Sequence, residues 1–355
     1  SSKWHFLATA YCIFGVTAAL GVGNATQVNA VIGGIESAVS SFGGSVDTKG
    51  ALLIGLIIAI MVGIIVIGGA KRIGSIAEYL VPIASVAYII LSIGVLIICA
   101  DRIDDAFLSI IHGAFKPQAV TGGIVGSMFV AIRTGSARGV FTNEAGMGTA
   151  AIAHASAEVD HPAEQGMMGI MEVFIDTIVI CTMTALVILC TDVSIPYGVD
   201  IGVQLTTDAF SQVYGSWVNV LIALALICFA FATILGWGLY GLRCAQFLFG
   251  EKVRTLFVFC QVITVILGAV LKTGTVWLLA ETVNGLMAIP NLFALLLLSK
   301  EFFRLMKQYK YTALGGTNEN FDQCKPLRAL SYAEVPSSCR KGKEGRQENI
   351  PPEHR

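Results

Sequence analysis

The sequence predicts an all-α protein that crosses a lipid bilayer several times. Three observations carry this. Hydrophobic residues make up 55% of the 355 and charged residues only 13%, about half the roughly 25% charge of a soluble domain. The apolar residues gather into eight segments, most near the ~20 residues that a helix needs to span the hydrocarbon core. The loops between them alternate in charge, as the positive-inside rule requires of a multi-pass chain.

The segments run over about 5–35, 50–70, 79–100, 119–157, 165–191, 215–242, 255–272 and 275–299. One set of loops holds Lys71 and Arg72, the stretch 158–164, then Arg243, Lys252 and Arg254, then a basic tail. The other set is acidic, with Asp101, Asp104 and Asp105 in one loop and Asp192, Asp200 and Asp208 in another. The basic set is therefore expected in the cytoplasm, with both termini inside. Eleven of the 23 Lys and Arg fall in residues 300–355, against seven acids. A basic tail behind a membrane helix fits a cytosolic anchor near anionic lipid better than a nucleic-acid face. Beyond 312 it turns polar, with Gly and Pro, and disorder is expected there. The chain opens at Ser1 without a basic n-region or a small-residue cleavage site. It is thus expected to lack a signal peptide and to start inside a longer reading frame.

Within the first segment, GVGNATQVNAV at 21–31 puts Asn24, Gln27 and Asn29 in apolar surroundings, beside Gly21 and Gly23. Neutral amides at this depth either tie helices together or contact a substrate. The fourth segment breaks the rules of a simple span. After TGGIVGSMFVAI comes RTGSARGVFTNEAGMGTAAIAHASA, rich in glycine and carrying Arg133, Arg138 and Glu144. Charge at bilayer depth costs a few kcal/mol per residue, and interrupted backbone is tolerated only against protein or a wet cavity. A discontinuous helix is therefore expected here, rather than a span ending near 132 followed by a loop. Its broken ends would offer N–H groups to anions and C=O groups to cations.

The fifth segment has Glu172 and Asp176 four apart on one face. Two such carboxylates repel unless one is protonated or a cation lies between them. Asp176 fits an ion or proton path and a helix-linking hydrogen bond equally, whereas Glu172 falls near the interface. In the sixth, FAFATILGWGLYG sets Thr233 and Trp237 on one face, a hydroxyl beside a large apolar surface. Taken alone, that pair reads as helix packing. In the eighth, Glu281, Asn284, Pro290 and Asn291 mark a kinked, protein-facing helix. Seven of nine cysteines lie in or beside apolar segments without a CxxC pair, so they read as small hydrophobes. No HExxH, P-loop or GxSxG occurs, and His154, Ser156 and Glu158 do not share a helix face. Neither an enzyme, a bound metal nor a cofactor is expected.

Taken together, RGVFTNEAGMGTAAIAHASAEVDHP, VFIDTIVICTMTALVIL, TILGWGLYG, ETVNGLMAIPN, GVGNATQVNAV and IGGAKRIGSIAEYLVPI resemble the alanine/glycine:cation symporter family, in order from about residue 5 to 299. The resemblance implies a Na⁺- or H⁺-coupled symporter of alanine or glycine in the plasma membrane. It implies the LeuT-like inverted-repeat fold, with an extra helix ahead of two five-helix repeats. Residues 1–118 would then close the first repeat, 119–299 form the second, and 300–355 be the tail. Gly23, Asn24, Gln27, Gly135, Gly139, Thr142, Asn143, Thr233 and Trp237 would contact the amino acid. Phe229, Ala232 and Thr233 would lie at the Na⁺ site, and Glu144 and Asp176 along an ion or proton path. Two features depart from the family. Its first three helices, with the glycine-threonine-glycine-asparagine motif that holds the substrate carboxylate, do not occur here, so the pocket would be open to lipid. Glu172 stands where the family usually has a neutral residue. A fragment that does not transport, or an uncoupled channel, is the competing expectation.

Overall fold

The computed structural model describes residues 4–115, 124–144, 146–195, 202–271 and 273–313, and every regular element among them is helical. In chain order these are α1 (His5–Leu20), a π-helical stretch (Gly21–Thr26), α2 (Gln27–Ser40), α3 (Thr48–Ile67), α4 (Ala70–Ile98), α5 (Ile103–Phe115), α6 (Ile124–Asn143), α7 (Thr149–His154), α8 (Pro162–Val173), a second π-helical stretch (Phe174–Cys181), α9 (Thr182–Cys190), α10 (Gln204–Tyr214), α11 (Val218–Phe249), α12 (Arg254–Gly268) and α13 (Thr273–Ala313). Local signals set some of the ends. Asp47 Oδ1 accepts the Gly50 N–H at 2.8 Å and caps α3, a contact worth about 1 kcal/mol.

Six helical runs among the described residues are long and apolar enough to cross a membrane: His5–Ser40, Thr48–Ile67, Ala70–Ile98, Pro162–Cys190, Val218–Phe249 and Thr282–Thr312. Eight were expected. The segment at 255–272 becomes α12, with 15 residues. At 1.5 Å per residue it reaches only about 22 Å, short of a ~30 Å core. The described part of the segment at 119–157 is α6, a non-helical joint and α7. The amphipathic helices α5 and α10 lie where acidic loops were expected. Residues 300–313 are helical rather than tail, because apolar residues at helical spacing continue through them and Glu301 pairs with Arg304 at 2.6 Å. The expected disorder beyond that point lies outside the described residues, as do Cys324 and Cys339. The seven described cysteines are all free.

Large side chains stand outward along whole helices: Leu53, Ile57, Ile60 and Ile64 on α3, and Ile83, Ile90 and Ile97 on α4. In water such stripes would drive aggregation, whereas against lipid tails they cost nothing. Helices satisfy their own backbone polar groups, so this surface is stable in a bilayer. The protein is a polytopic all-helical membrane protein.

The described residues fall into two compact units. In the first (Ser1–Ser156 and Met171–Leu292), α11 is the central helix. Gly15 faces Cys244, Gly23 faces Trp237, and Gly34 faces Leu226 and Ala223, while Gly241 faces Ala19. Partner numbers fall as the first numbers rise, so α1–α2 and α11 cross antiparallel. Small residues along the seam let the backbones approach closely. The helices α3 and α12 repeat the arrangement. Gly55 faces Ala269, Gly63 faces Val262, and the Arg254 guanidinium donates to the Ile67 carbonyl at the far end. One core lies among α2, α3, α11 and α12, and another among α4, α9, α10 and α11. Away from these helices, Arg102 Nη1 meets Asp192 Oδ1 at 2.7 Å and joins the two acidic loops. That hydrogen bond also holds the guanidinium pKa above its ordinary value. In the second unit (Ala157–Ile170 and Phe293–Arg355), the ring of His161 packs on Tyr309 at 5.2 Å.

Candidate functional site

The site begins on α11. Phe229, Ala232, Thr233, Gly236, Trp237 and Tyr240 follow a three-four-three-four spacing, so they form one stripe. That stripe lines a cleft of about 530 Å³. The other face of α11, with Ala230, Ile234 and Leu235, is buried in the core, which fixes the rotation of the helix. Thr233 Oγ1 donates to the Phe229 carbonyl at 2.9 Å. Its hydroxyl hydrogen is thereby occupied, and its remaining lone pairs are free to accept or to ligate a hard cation. Trp237 is only 2% exposed and meets the Tyr240 ring edge-on at 5.7 Å.

The end of α6 contributes Phe141 and Thr142 to the same cleft, and the joint between α6 and α7 contributes Glu144. Here the chain leaves the helix. Glu144 has φ 53°, and Gly146 and Gly148 have φ 83° and 84°. This left-handed backbone is costly for a residue with a Cβ and natural for glycine. The joint is held from three directions. Thr149 Oγ1 donates to Glu144 Oε2 at 2.6 Å, Asn291 Nδ2 donates to the Gly146 carbonyl at 2.8 Å, and Met147 is fully buried in one cluster with Trp237 and Met287.

The second π-helical stretch supplies Asp176 and Ile180. A π turn holds one extra residue and re-aims those that follow, an arrangement frequent at functional sites. Asp176 Oδ2 accepts from Thr142 Oγ1 at 3.3 Å and from Thr177 Oγ1 at 3.2 Å. Glu144 and Asp176 both line the cleft. The first π-helical stretch ends beside Gln27, and Ile73, Ala77 and Val81 of α4 complete an apolar wall. The cleft thus joins two carboxylates, threonine hydroxyls and one amide to aromatic and aliphatic surface. Such a lining suits a small zwitterion and a cation, with the aliphatic wall facing a short side chain.

Of the residues singled out from the sequence, Gln27, Thr142, Glu144, Asp176, Phe229, Ala232, Thr233 and Trp237 come together here. Others lie elsewhere. Gly135 is exposed and Gly139 half-buried within continuous α6, and Asn143 ends that helix outside the lining. The resemblance pointed to 135 and 139, but the break falls at 144–148, where the positive φ values are. Gly23 lies behind the Trp237 side chain. Asn24 is fully buried; its Nδ2 donates to the Ala19 carbonyl at 2.5 Å, and its Oδ1 accepts from Gln261 Nε2 at 3.2 Å. Asn29 Nδ2 donates to the Leu271 carbonyl at 2.9 Å. Of the three amides, two tie helices together and one reaches the cleft. Glu172, expected near the interface, pairs with His154 Nε2 at 3.2 Å.

Sequence reading missed Tyr240, Gly236, Phe141, Ile180 and the α4 wall. Gly236 and Tyr240 could have been found by continuing the Thr233–Trp237 stripe. The α4 residues carry no such signal, since an apolar residue facing a cleft looks like one facing lipid.

Comparison with known proteins places these features. The model of the sodium:alanine symporter family matches residues 1–323. An uncharacterized transporter of Haemophilus influenzae is 37% identical over 310 residues, covering 86% of this chain and 66% of its own length. The sodium/alanine symporter AgcS of Methanococcus maripaludis is 38% identical over 295 residues, covering 82% of this chain and 62% of its own. The probable sodium/glutamine symporter GlnT of Bacillus subtilis is 36% identical over 272 residues, covering 76% and 56%. The chain therefore spans less than two thirds of the length of the curated relatives it matches.

Proposed function

We propose a role in cation-coupled symport from one premise: the chain belongs to the sodium:alanine symporter family. This is a family of transporters, not of enzymes. The proposed cargo is a small neutral amino acid such as alanine or glycine, driven by Na⁺ or H⁺ down its gradient. The observation that carries the reading is the cleft, where the joint of a broken helix, a π-helical turn bearing Asp176 and the Thr233–Trp237 stripe meet. No single one of these would suffice.

Roles follow from chemistry. Gln27 and Thr142 offer polar contacts to the amino acid, and Trp237 with the α4 wall encloses its side chain. Thr233, with the backbone oxygens at Phe229 and Ala232, forms the cation site. Glu144 and Asp176 are the groups able to take up a second cation or a proton, because they are the carboxylates in the lining of the cleft. The antiparallel crossings of α1–α2 with α11 and of α3 with α12 support the LeuT-like fold. An inverted repeat requires that corresponding helices of its two halves meet in opposite directions. The Arg102–Asp192 pair and the Arg254–Ile67 contact each join loops of one charge set. They support the alternating topology; both termini in the cytoplasm and a place in the plasma membrane complete the proposal.

Equilibrium binding of radiolabelled alanine to the purified full-length polypeptide tests the reading. Binding should be saturable, stronger in Na⁺ than in K⁺, and weakened in Na⁺ when Thr233→Val removes a cation ligand. Binding that ignores both the cation and this substitution would contradict it.

A further inference from the structure

Gly23 was expected to touch the amino acid, and it does not line the cleft. It lies on the far side of Trp237, within the first π-helical stretch. A Cβ built at Gly23 would overlap the Cβ, Cγ and Cδ2 of Trp237. These are the root of the indole and part of its ring, so no flexible tip can swing aside. Trp237 has little freedom elsewhere. It is buried, Tyr240 sits edge-on to its ring, and Met147 and Met287 fill the same cluster. Among the described residues, the indole borders open space at the cleft it lines.

We infer that the absence of a side chain at Gly23 sets the size limit on the transported amino acid, by letting the Trp237 indole sit back from the cleft. Gly23 is a positioning residue: it acts through Trp237 and touches no substrate. The claim rests on the symport reading above. A methyl at Gly23 drives the indole into the cleft and removes room where the substrate side chain would lie. Glycine, which has none, loses least; alanine loses more and serine more again. One methylene in an apolar pocket discriminates about tenfold or more. Gly21 is the natural control, since a Cβ there meets nothing within 4 Å. Both residues lie in the same π-helical stretch, so a general effect of alanine on that backbone would appear in both.

The experiment is Na⁺-driven uptake of glycine, alanine and serine by the full-length polypeptide in proteoliposomes, comparing wild type, Gly23→Ala and Gly21→Ala. Gly23→Ala should lower the alanine-to-glycine ratio of kcat/KM by about tenfold or more, and Gly21→Ala should keep the wild-type ratio. An unchanged ratio in folded Gly23→Ala, or an equal change in Gly21→Ala, overturns the inference. If Gly23→Ala alone does not fold, Gly23→Ala is compared in the Trp237→Gly background, which removes the indole: the alanine-to-glycine ratio should match that of Trp237→Gly alone, and a further change in the double variant overturns the inference. A wild-type protein that takes up none of the three amino acids would instead defeat the symport reading itself.

Discussion

Gln261 is fully buried between α11 and α12, and its Nε2 donates to Asn24 Oδ1 at 3.2 Å and to the Ile234 carbonyl at 3.3 Å. Its Oε1 has no partner among the described residues. An amide pair at this depth gains little in net terms, but breaking it strands the other partner. Gln261→Leu should therefore cost about 1–3 kcal/mol, read as a lower melting temperature in detergent. The double variant Gln261→Leu with Asn24→Leu should recover part of that loss; additive losses would contradict this account. Much of the site chemistry was legible at this scale. Gln27, Glu144 and Asp176 stand out as polar groups in apolar surroundings, whereas Thr142, Thr233 and Trp237 were pointed to by the family resemblance, and all six line the cleft. The choice between gluing and lining was not legible for Asn24 and Asn29, because an amide looks the same in both settings. Only packing against Gln261 and Leu271 separates them.

The broken helix shows how far an element can be read from its residues. That a break occurs was legible from charge and glycine at bilayer depth. Its position was not, because Gly135 and Gly139 sit comfortably inside α6 while the left-handed turn falls at Glu144, Gly146 and Gly148. Gly148 carries two constraints, a φ of 84° and a Cβ position 2.5 Å from Asn291 Oδ1. Gly148→Ala should thus destabilise by more than ~1 kcal/mol and loosen the joint, whereas Gly135→Ala, in open space on a helix, should not. Equal melting temperatures for the two would refute the assignment of the joint. The π-helical stretches were invisible in the sequence, since hydrophobic spacing tolerates one extra residue. Deleting Ala25 would return the first stretch to α-helical geometry and keep the phase of α1 against α2, because a π turn takes up its one extra residue within the turn. The contacts Gly15–Cys244 and Gly34–Leu226 should then both survive, and cross-linking at 15–244 and at 34–226 that loses either would contradict this.

For the whole molecule, six helical runs among the described residues are long and apolar enough to cross a membrane, against the eight segments expected. α12 is too short to count alone, and α6 carries Arg133 and Arg138 along its length. The antiparallel seam could not be read from one sequence, because the small residues that make it are common in any membrane helix. It makes a direct prediction. Gly34 and Leu226 place Cβ positions 3.8 Å apart, and Gly15 and Cys244 3.5 Å apart, both within the range of a disulfide. Gly34→Cys with Leu226→Cys, and Gly15→Cys with native Cys244, should each cross-link on mild oxidation. If neither does, the crossing of α1–α2 with α11 is wrong. The central claim is coupling of amino-acid movement to a cation through the cleft. It is tested most directly by simultaneous flux of labelled alanine and labelled Na⁺ into proteoliposomes holding the full-length polypeptide. The account predicts saturable alanine uptake, accumulation against the alanine gradient that stops when the cation gradients are collapsed, Na⁺ entry that depends on alanine, and loss of all three in Thr233→Val. Alanine flux that persists without any cation gradient and does not saturate would contradict it and leave an uncoupled pore.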